Sequence, residues 1–169
     1  SENDIDIIIR TPNTTLSARD LFKSLNTKYT NRFRGAIIYS EDIINNSICQ
    51  TKKKKKKYFG DNYRVIWAMK SAPIEKIAQI IGQGQFSFDV GSYEEFLIAN
   101  RITNGNRIFY TSSGKYDWDI NAIIEHNCIP VFDNITELKL LNKKALSANK
   151  NVTCGIRINL MEDETSSDK

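Results

Sequence analysis

From residue 64 onward, short apolar runs alternate with longer stretches whose apolar residues recur at helical spacing. Arg64–Lys70 reads as a short strand that ends in a lysine, and Pro73 then opens a helix over Ile74–Ile81 that Gly82 and Gly84 stop. Phe86–Val90 is the next strand. Ser92 and Glu95 have capping-box spacing and start a helix through Asn100. Arg107–Thr111, Ile129–Asp133 and Val152–Ile158 are further strands. Between them lie helices over Tyr116–Glu125 and from Asn134, a capping residue, to Ala148. The strands begin near residues 64, 86, 107, 129 and 152, a period of about 22. Strand and helix alternate at every step, which predicts an α/β fold with a parallel sheet and right-handed crossovers. A leucine-rich solenoid has a similar period, but its leucine consensus is absent.

An open doubly wound sheet and a closed (β/α) barrel both satisfy this pattern. The turn after the first strand, Lys70–Pro73, lacks the glycine fingerprint of a dinucleotide site, and there is no phosphate loop of the glycine-lysine-serine type. A barrel needs eight βα units and this chain supplies about five, so the expected fold is a partial TIM-like barrel. An unclosed barrel leaves edge strands and apolar faces uncovered, and the isolated chain is expected to need a partner.

The flanks read differently. Residues 1–34 form a polar N-terminal segment in which Ser17 caps a short helix. Residues 35–40 read as a strand and Glu41–Cys49 as a helix. The domain proper is expected to span 35–159, interrupted by a solvated, disordered lysine-rich insertion at 51–58. The acidic, apolar-poor tail 160–169 is expected to be disordered.

Composition narrows the function classes. The chain of 169 residues is 40% hydrophobic and 26% charged, as expected of a soluble globular domain. Its formal charge of +4 would be −2 without the six lysines of 52–57, so the basic character is one block and not a nucleic-acid-binding face. No apolar run reaches membrane length and the first residues do not resemble a signal peptide, which points to a cytoplasmic protein. Cys49, Cys128 and Cys154 are too widely spaced for a zinc or redox pair. No metal-ligand set is visible. The single histidine, His126, removes the usual Ser-His and Cys-His nucleophile arrangements.

In a parallel βα array the strand ends share one face, where sites are built. Those ends are Lys70, Asp89, Thr111 with Ser112, Asp133 and Arg157. A lysine leaving a buried strand is costly without a task, and a desolvated lysine can form a Schiff base with a carbonyl; the alternative is a lysine at the strand mouth with its ammonium in water. Lysine, carboxylates, hydroxyls and an arginine together suit a cofactor carrying an aldehyde, a polar ring and a phosphate. Thr111 and Asp133 read as ordinary polar strand exits, whereas Lys70 with Asp89 reads as a pair in which a carboxylate stabilises a protonated imine.

Five segments resemble, in order and spacing, the fold-type III pyridoxal-phosphate decarboxylases. They are Trp67-Ala-Met-Lys70-Ser-Ala-Pro73, Phe88-Asp89-Val-Gly-Ser92-Tyr-Glu-Glu95, Ile108-Phe-Tyr-Thr-Ser-Ser-Gly-Lys115, Phe132-Asp-Asn-Ile-Thr-Glu137 and Gly155-Ile-Arg157-Ile-Asn159. The resemblance implies an alanine-racemase-type barrel, with Lys70 carrying pyridoxal 5'-phosphate as a Schiff base and Asp89, Glu95 and Arg157 around the cofactor. It also implies a homodimer in the complete protein and decarboxylation of a basic L-amino acid. The acidic residues after the fifth strand, Glu162–Ser167, resemble ornithine decarboxylases, which make putrescine for polyamine biosynthesis. The Arg157–Asn159 wording fits diaminopimelate decarboxylases of lysine biosynthesis equally well. A non-catalytic regulatory homologue is the remaining alternative. By this resemblance the chain corresponds to the first part of such an enzyme, inactive alone. Met69 and Ser71–Pro73 depart from the family's commoner wording.

Overall fold

A computed structural model describes residues 8–29 and 37–158. The chain divides into two compact units, Ser1–Asp61 and Asn62–Lys169. The expected boundary at residue 34 therefore falls inside the first unit.

In the first unit, β1 (Ile8–Arg10) and β2 (Thr15–Ser17) form an antiparallel hairpin that the sequence reading did not anticipate. Its turn is closed by Thr11, whose backbone N–H donates to the Thr14 carbonyl at 2.7 Å. The signal was present in Pro12 and Asn13 between two apolar runs. Helix α1 (Ala18–Lys28) starts where expected, with Ser17 Oγ accepting from Asp20 N at 3.0 Å. Residues 37–40 carry no strand, although one was expected over 35–40. Gly35 and Ala36 lie outside the described residues, and Ile37 is 82% exposed with no ladder partner among the described residues.

Helix α2 runs from Glu41 to Tyr58, so the lysine block continues a helix instead of forming a disordered insertion. Lysine is a good helix former, and like charges at i, i+4 cost only about 0.2–0.5 kcal/mol per pair. Glu41 and Asp42 at one end and Lys55–Lys57 at the other also complement the helix dipole. The block is largely exposed, and Lys55 Nζ is tied to the Asp61 carbonyl at 3.2 Å.

The second unit holds a parallel sheet of β3 (Ile66–Ala68), β4 (Ser87–Val90), β5 (Ile108–Tyr110), β6 (Ile129–Phe132) and β7 (Gly155–Ile156), paired in sequence order. Helices α3 (Glu75–Gln83), α4 (Tyr93–Ile102), α5 (Asp117–His126) and α6 (Ile135–Ser147) connect them. Strands β3 and β7 are shorter than expected, and Met69–Ser71 forms a 3₁₀ turn. Pro73 precedes the α3 cap, Ile74, and so lies just outside the first turn.

Strand order decides between the two candidate architectures. When parallel strands add one after another in the same direction, right-handed crossovers put every helix on the same face. A doubly wound sheet needs a reversal of order, and none occurs among the described strands. Burial agrees. Trp67, Phe88, Val90, Ile108, Tyr110, Pro130 and Phe132 share the helix-covered face by register, and those of β4, β5 and β6 are buried. Ala68, Asp89, Phe109, Ile129 and Val131 alternate with them and stay partly exposed on the other face. This is the wall of a (β/α) barrel with its helix-free face toward the barrel interior.

The caps expected at Ser92 and Asn134 are present, accepting from Glu95 N at 3.2 Å and Glu137 N at 2.9 Å. Gly105 is set by close approach: a Cβ there would lie 1.8 Å from the His126 carbonyl oxygen at the end of α5. Gly105→Ala must displace backbone, so it should destabilise the protein by about 1–3 kcal/mol in urea unfolding. A change within about 0.5 kcal/mol would contradict this packing.

Candidate active site

The ends of β3, β4, β5 and β7 open onto one cavity of about 270 Å³ lined by Lys70, Asp89, Gly91, Glu95, Thr111, Ser112, Ser113 and Arg157. The structure thus brings all four expected site residues together. Each arrives by a different local device. Lys70 is delivered by the 3₁₀ turn after β3, where Ser71 Oγ donates to the Ala68 carbonyl at 2.8 Å. Asp89 lies in β4 and accepts a hydrogen bond from Thr111 Oγ1 at the exit of β5. Glu95, in the first turn of α4, folds back so that Oε2 accepts from Gly91 N at 2.7 Å, which fixes its carboxylate at the strand-to-helix turn. Arg157 follows β7; its backbone N–H donates to Phe132 O at 2.6 Å and its guanidinium to Thr111 O at 3.4 Å.

The rim residues differ in how they meet the sequence reading. Of the two readings of Lys70, the structure has the one at the strand mouth in water: it is exposed, and its neighbour Met69 takes the buried position at 0% exposure. Thr111 is more than a polar strand exit, because it bonds Asp89 and lines the cavity. Asp133 is the ordinary polar strand exit expected: it is exposed, does not line the cavity, and accepts from Asn134 Nδ2 at 3.2 Å.

Among the described residues the buried lysine is Lys115, whose side chain has 0% exposure. Its Nζ donates to the Ser112 carbonyl at 2.6 Å and the Val131 carbonyl at 2.7 Å, and pairs with Glu137 Oε2 at 3.4 Å. The ammonium also stands 4.8 Å from the centre of the Phe132 ring. Glu137 Oε1 accepts from Gly114 N at 3.0 Å and Lys115 N at 3.3 Å. Burial pushes the Lys115 ammonium below its ordinary range while the Glu137 carboxylate pulls the other way. The sequence signal for this pair was weak: a lysine four residues past a strand end and a glutamate in a helix first turn.

Ser112 Oγ is also buried and has no hydrogen-bond partner among the described residues. A second cavity, of about 260 Å³, shares Gly91, Ser112 and Ser113 with the first and adds Tyr93, Tyr116 and Trp118. Tyr110 donates to Asp119 at 2.5 Å, and burial with that carboxylate raises its phenol, so it stays a donor. Burial pushes the Cys128 thiol up to about 12, which disqualifies it as a nucleophile.

A family model described as the pyridoxal-dependent decarboxylase, pyridoxal binding domain, matches residues 45–169. The chain belongs to this family. Diaminopimelate decarboxylase of Bacteroides thetaiotaomicron is 28% identical over 143 residues, covering 83% of this chain and 34% of the relative. Diaminopimelate decarboxylase from M. jannaschi superposes with a TM-score of 0.70 at 21% identity, over 90% of this chain and 36% of that one. The Helicobacter pylori diaminopimelate decarboxylase complexed with L-lysine gives a TM-score of 0.64 at 20% identity, over 79% of this chain and 34% of that one. At these identities the structures establish the fold, a partial TIM-like barrel. The chain spans about a third of the length of the relatives it matches.

The residues present fit pyridoxal phosphate. The residues lining the cavity include a primary amine at Lys70, a guanidinium at Arg157 and two carboxylates, at Asp89 and Glu95. Among the described residues no helix is long and apolar enough to cross a membrane.

The buried pair gives a stability prediction. Lys115→Met leaves the Glu137 carboxylate buried and unpaired, and should cost about 3–5 kcal/mol. Adding Glu137→Gln should recover part of that loss, as measured by urea unfolding in a double-mutant cycle. Simple additivity of the two changes would show that the pair is not coupled.

Proposed function

We propose that this chain is the lysine-bearing part of a pyridoxal-phosphate-dependent decarboxylase of basic L-amino acids. The observation that carries the reading is the convergence of Lys70, Asp89, Glu95 and Arg157 on one cavity at the strand ends. The family match supplies the cofactor class.

Bound pyridoxal phosphate supplies an electron sink for the pair left when carbon dioxide departs. The chain's own residues do the rest. Lys70 is the residue that would hold the cofactor through its primary amine, and its exposure leaves that amine open to the cavity and to solvent. Asp89 and Glu95 place negative charge on the cavity wall, which would favour the protonated form of a basic nitrogen held beside them. Thr111 restrains the Asp89 carboxylate and the Gly91 N–H restrains that of Glu95, so both are held before the cofactor arrives. The Arg157 guanidinium is a fixed-charge donor suited to orienting the cofactor.

For the substrate, the 28% identity to a diaminopimelate decarboxylase favours diaminopimelate. Ornithine, the expectation drawn from residues 162–167, rests on residues outside the described ones. A second copy of the chain, within the complete protein, is the proposed partner.

The test uses the full-length polypeptide. Carbon dioxide release should occur with one of meso-diaminopimelate, ornithine or lysine. Lys70→Arg keeps the charge but cannot form the covalent link under ordinary conditions, so it should abolish the visible absorbance of bound cofactor and lower turnover by orders of magnitude. Asp89→Asn should lower turnover less and leave that absorbance in place. Unchanged absorbance in Lys70→Arg would overturn the assignment and favour a regulatory homologue.

A further inference from the structure

We propose that Thr111 is a positioning residue of the strand-end cavity, which sets the protonation of a bound cofactor by holding the Asp89 carboxylate in place. The inference rests on the cofactor reading above and deepens it with a residue that acts through another. Thr111 stands at the exit of β5, where its backbone N–H ties it to β4 by donating to the Val90 carbonyl at 2.9 Å. Asp89 is opposite Phe109 in the ladder, and Thr111 lies two residues beyond Phe109. Side chains two apart on a strand share a face, so Thr111 and Asp89 are diagonal neighbours on the helix-free face of the sheet. The Thr111 hydroxyl has two acceptors in reach, Asp89 Oδ1 at close range and the Val90 carbonyl at 3.4 Å. It has one proton to give, and the nearer, charged oxygen takes it.

Charges of both signs in the cavity lean on this one residue. Its hydroxyl restrains a carboxylate from β4, and its carbonyl accepts from the Arg157 guanidinium, beyond β7, at 3.4 Å. The carbonyl is backbone and any residue would supply it; the hydroxyl is what threonine adds. Branching at Cβ restricts χ1, so the backbone sets the direction of that hydroxyl. The backbone is itself held, because the next carbonyl, that of Ser112, accepts from the buried Lys115 ammonium at 2.6 Å. The charged residues lining the cavity are Lys70 after β3, Asp89 in β4, Glu95 in α4 and Arg157 after β7, whereas Asp133, after β6, is not among them. Glu95 has its own restraint in the Gly91 N–H. Asp89 has only Thr111: no other hydrogen-bond partner reaches its carboxylate among the described residues. Without the hydroxyl, this partly exposed carboxylate is free to turn toward water.

The experiment raises the pH of the full-length polypeptide loaded with pyridoxal phosphate and reads the midpoint at which the visible absorbance, that of the protonated form, is lost. A carboxylate held beside a basic nitrogen favours the protonated form and raises this midpoint. Thr111→Val removes the hydroxyl at nearly constant shape, so Asp89 is released and the midpoint should fall by about one pH unit. A hydrogen bond that merely diluted the Asp89 charge would act the other way, and its removal would raise the midpoint. Thr111→Ser, which keeps the hydroxyl, should restore the wild-type value. In an Asp89→Asn background the midpoint is already low, and Thr111→Val should add nothing. If Thr111→Val does not fold, Thr111→Ala is read the same way. If the wild-type band outlasts the pH range of the folded protein, the same cycle is read in the dissociation constant of the cofactor. There Thr111→Val should weaken binding about fivefold, and not at all once Asp89 is Asn. A raised or unchanged midpoint, no recovery in Thr111→Ser, or a full further loss in the Asp89→Asn background overturns the positioning role. A wild-type protein that takes up no pyridoxal phosphate overturns the cofactor reading itself, and this inference with it.

Discussion

Right-handed crossovers impose the constraint on which everything else depends. With five parallel strands paired in sequence order, each crossover must carry its helix to the same side. One face of the sheet is then filled by Phe88, Val90, Ile108, Tyr110 and Phe132 against helices, all at 1% exposure or less. The other face is left to residues of the opposite parity, and the strand exits fall on a single rim. A lysine, two carboxylates and an arginine separated by up to 87 positions in sequence share one cavity for that reason alone. The chemistry is a consequence of topology before it is a consequence of any one contact.

Within that frame the two lysines nearest the rim have opposite duties, and burial separates them. Lys70 is exposed, on a 3₁₀ turn that lets Met69 fill the core, so its amine can be reached by an aldehyde or by a substrate. Lys115 is sealed, with its donors spent on two backbone carbonyls and a carboxylate. It is unsuited to covalent chemistry and well suited to holding the β5 exit loop in one conformation. Asp89 and Glu95 show the same division of labour on a smaller scale. Each gives up part of its hydrogen-bonding capacity to a neighbour and gains a fixed orientation.

Much of this was legible in the sequence because it is written in local signals. The repeat of about 22 residues, the capping residues Ser17, Ser92 and Asn134, and the polar strand exits are all patterns within a few positions of one another. The failures are non-local or depend on context. Strand status for residues 37–40 requires a pairing partner, which apolar character cannot supply. The lysine block looked like a solvated insertion because charge was weighed above helix propensity, yet α2 runs through it. The apolar run that Lys70 ends is compatible with a desolvated or a solvated amine, and the 3₁₀ turn that exposes it has no clear sequence mark. The Lys115–Glu137 pair joins residues 22 apart, and only the fold shows that they meet.

The central claim is that topology selects Lys70, among all the chain's lysines, as the covalent anchor for the cofactor. The most direct test is to reduce the full-length protein with borohydride in the presence of pyridoxal phosphate, digest it and locate the labelled lysine by mass spectrometry. The account predicts a single modified peptide carrying the label on Lys70. A label on Lys115, on the lysines of α2, or on no lysine at all would contradict it.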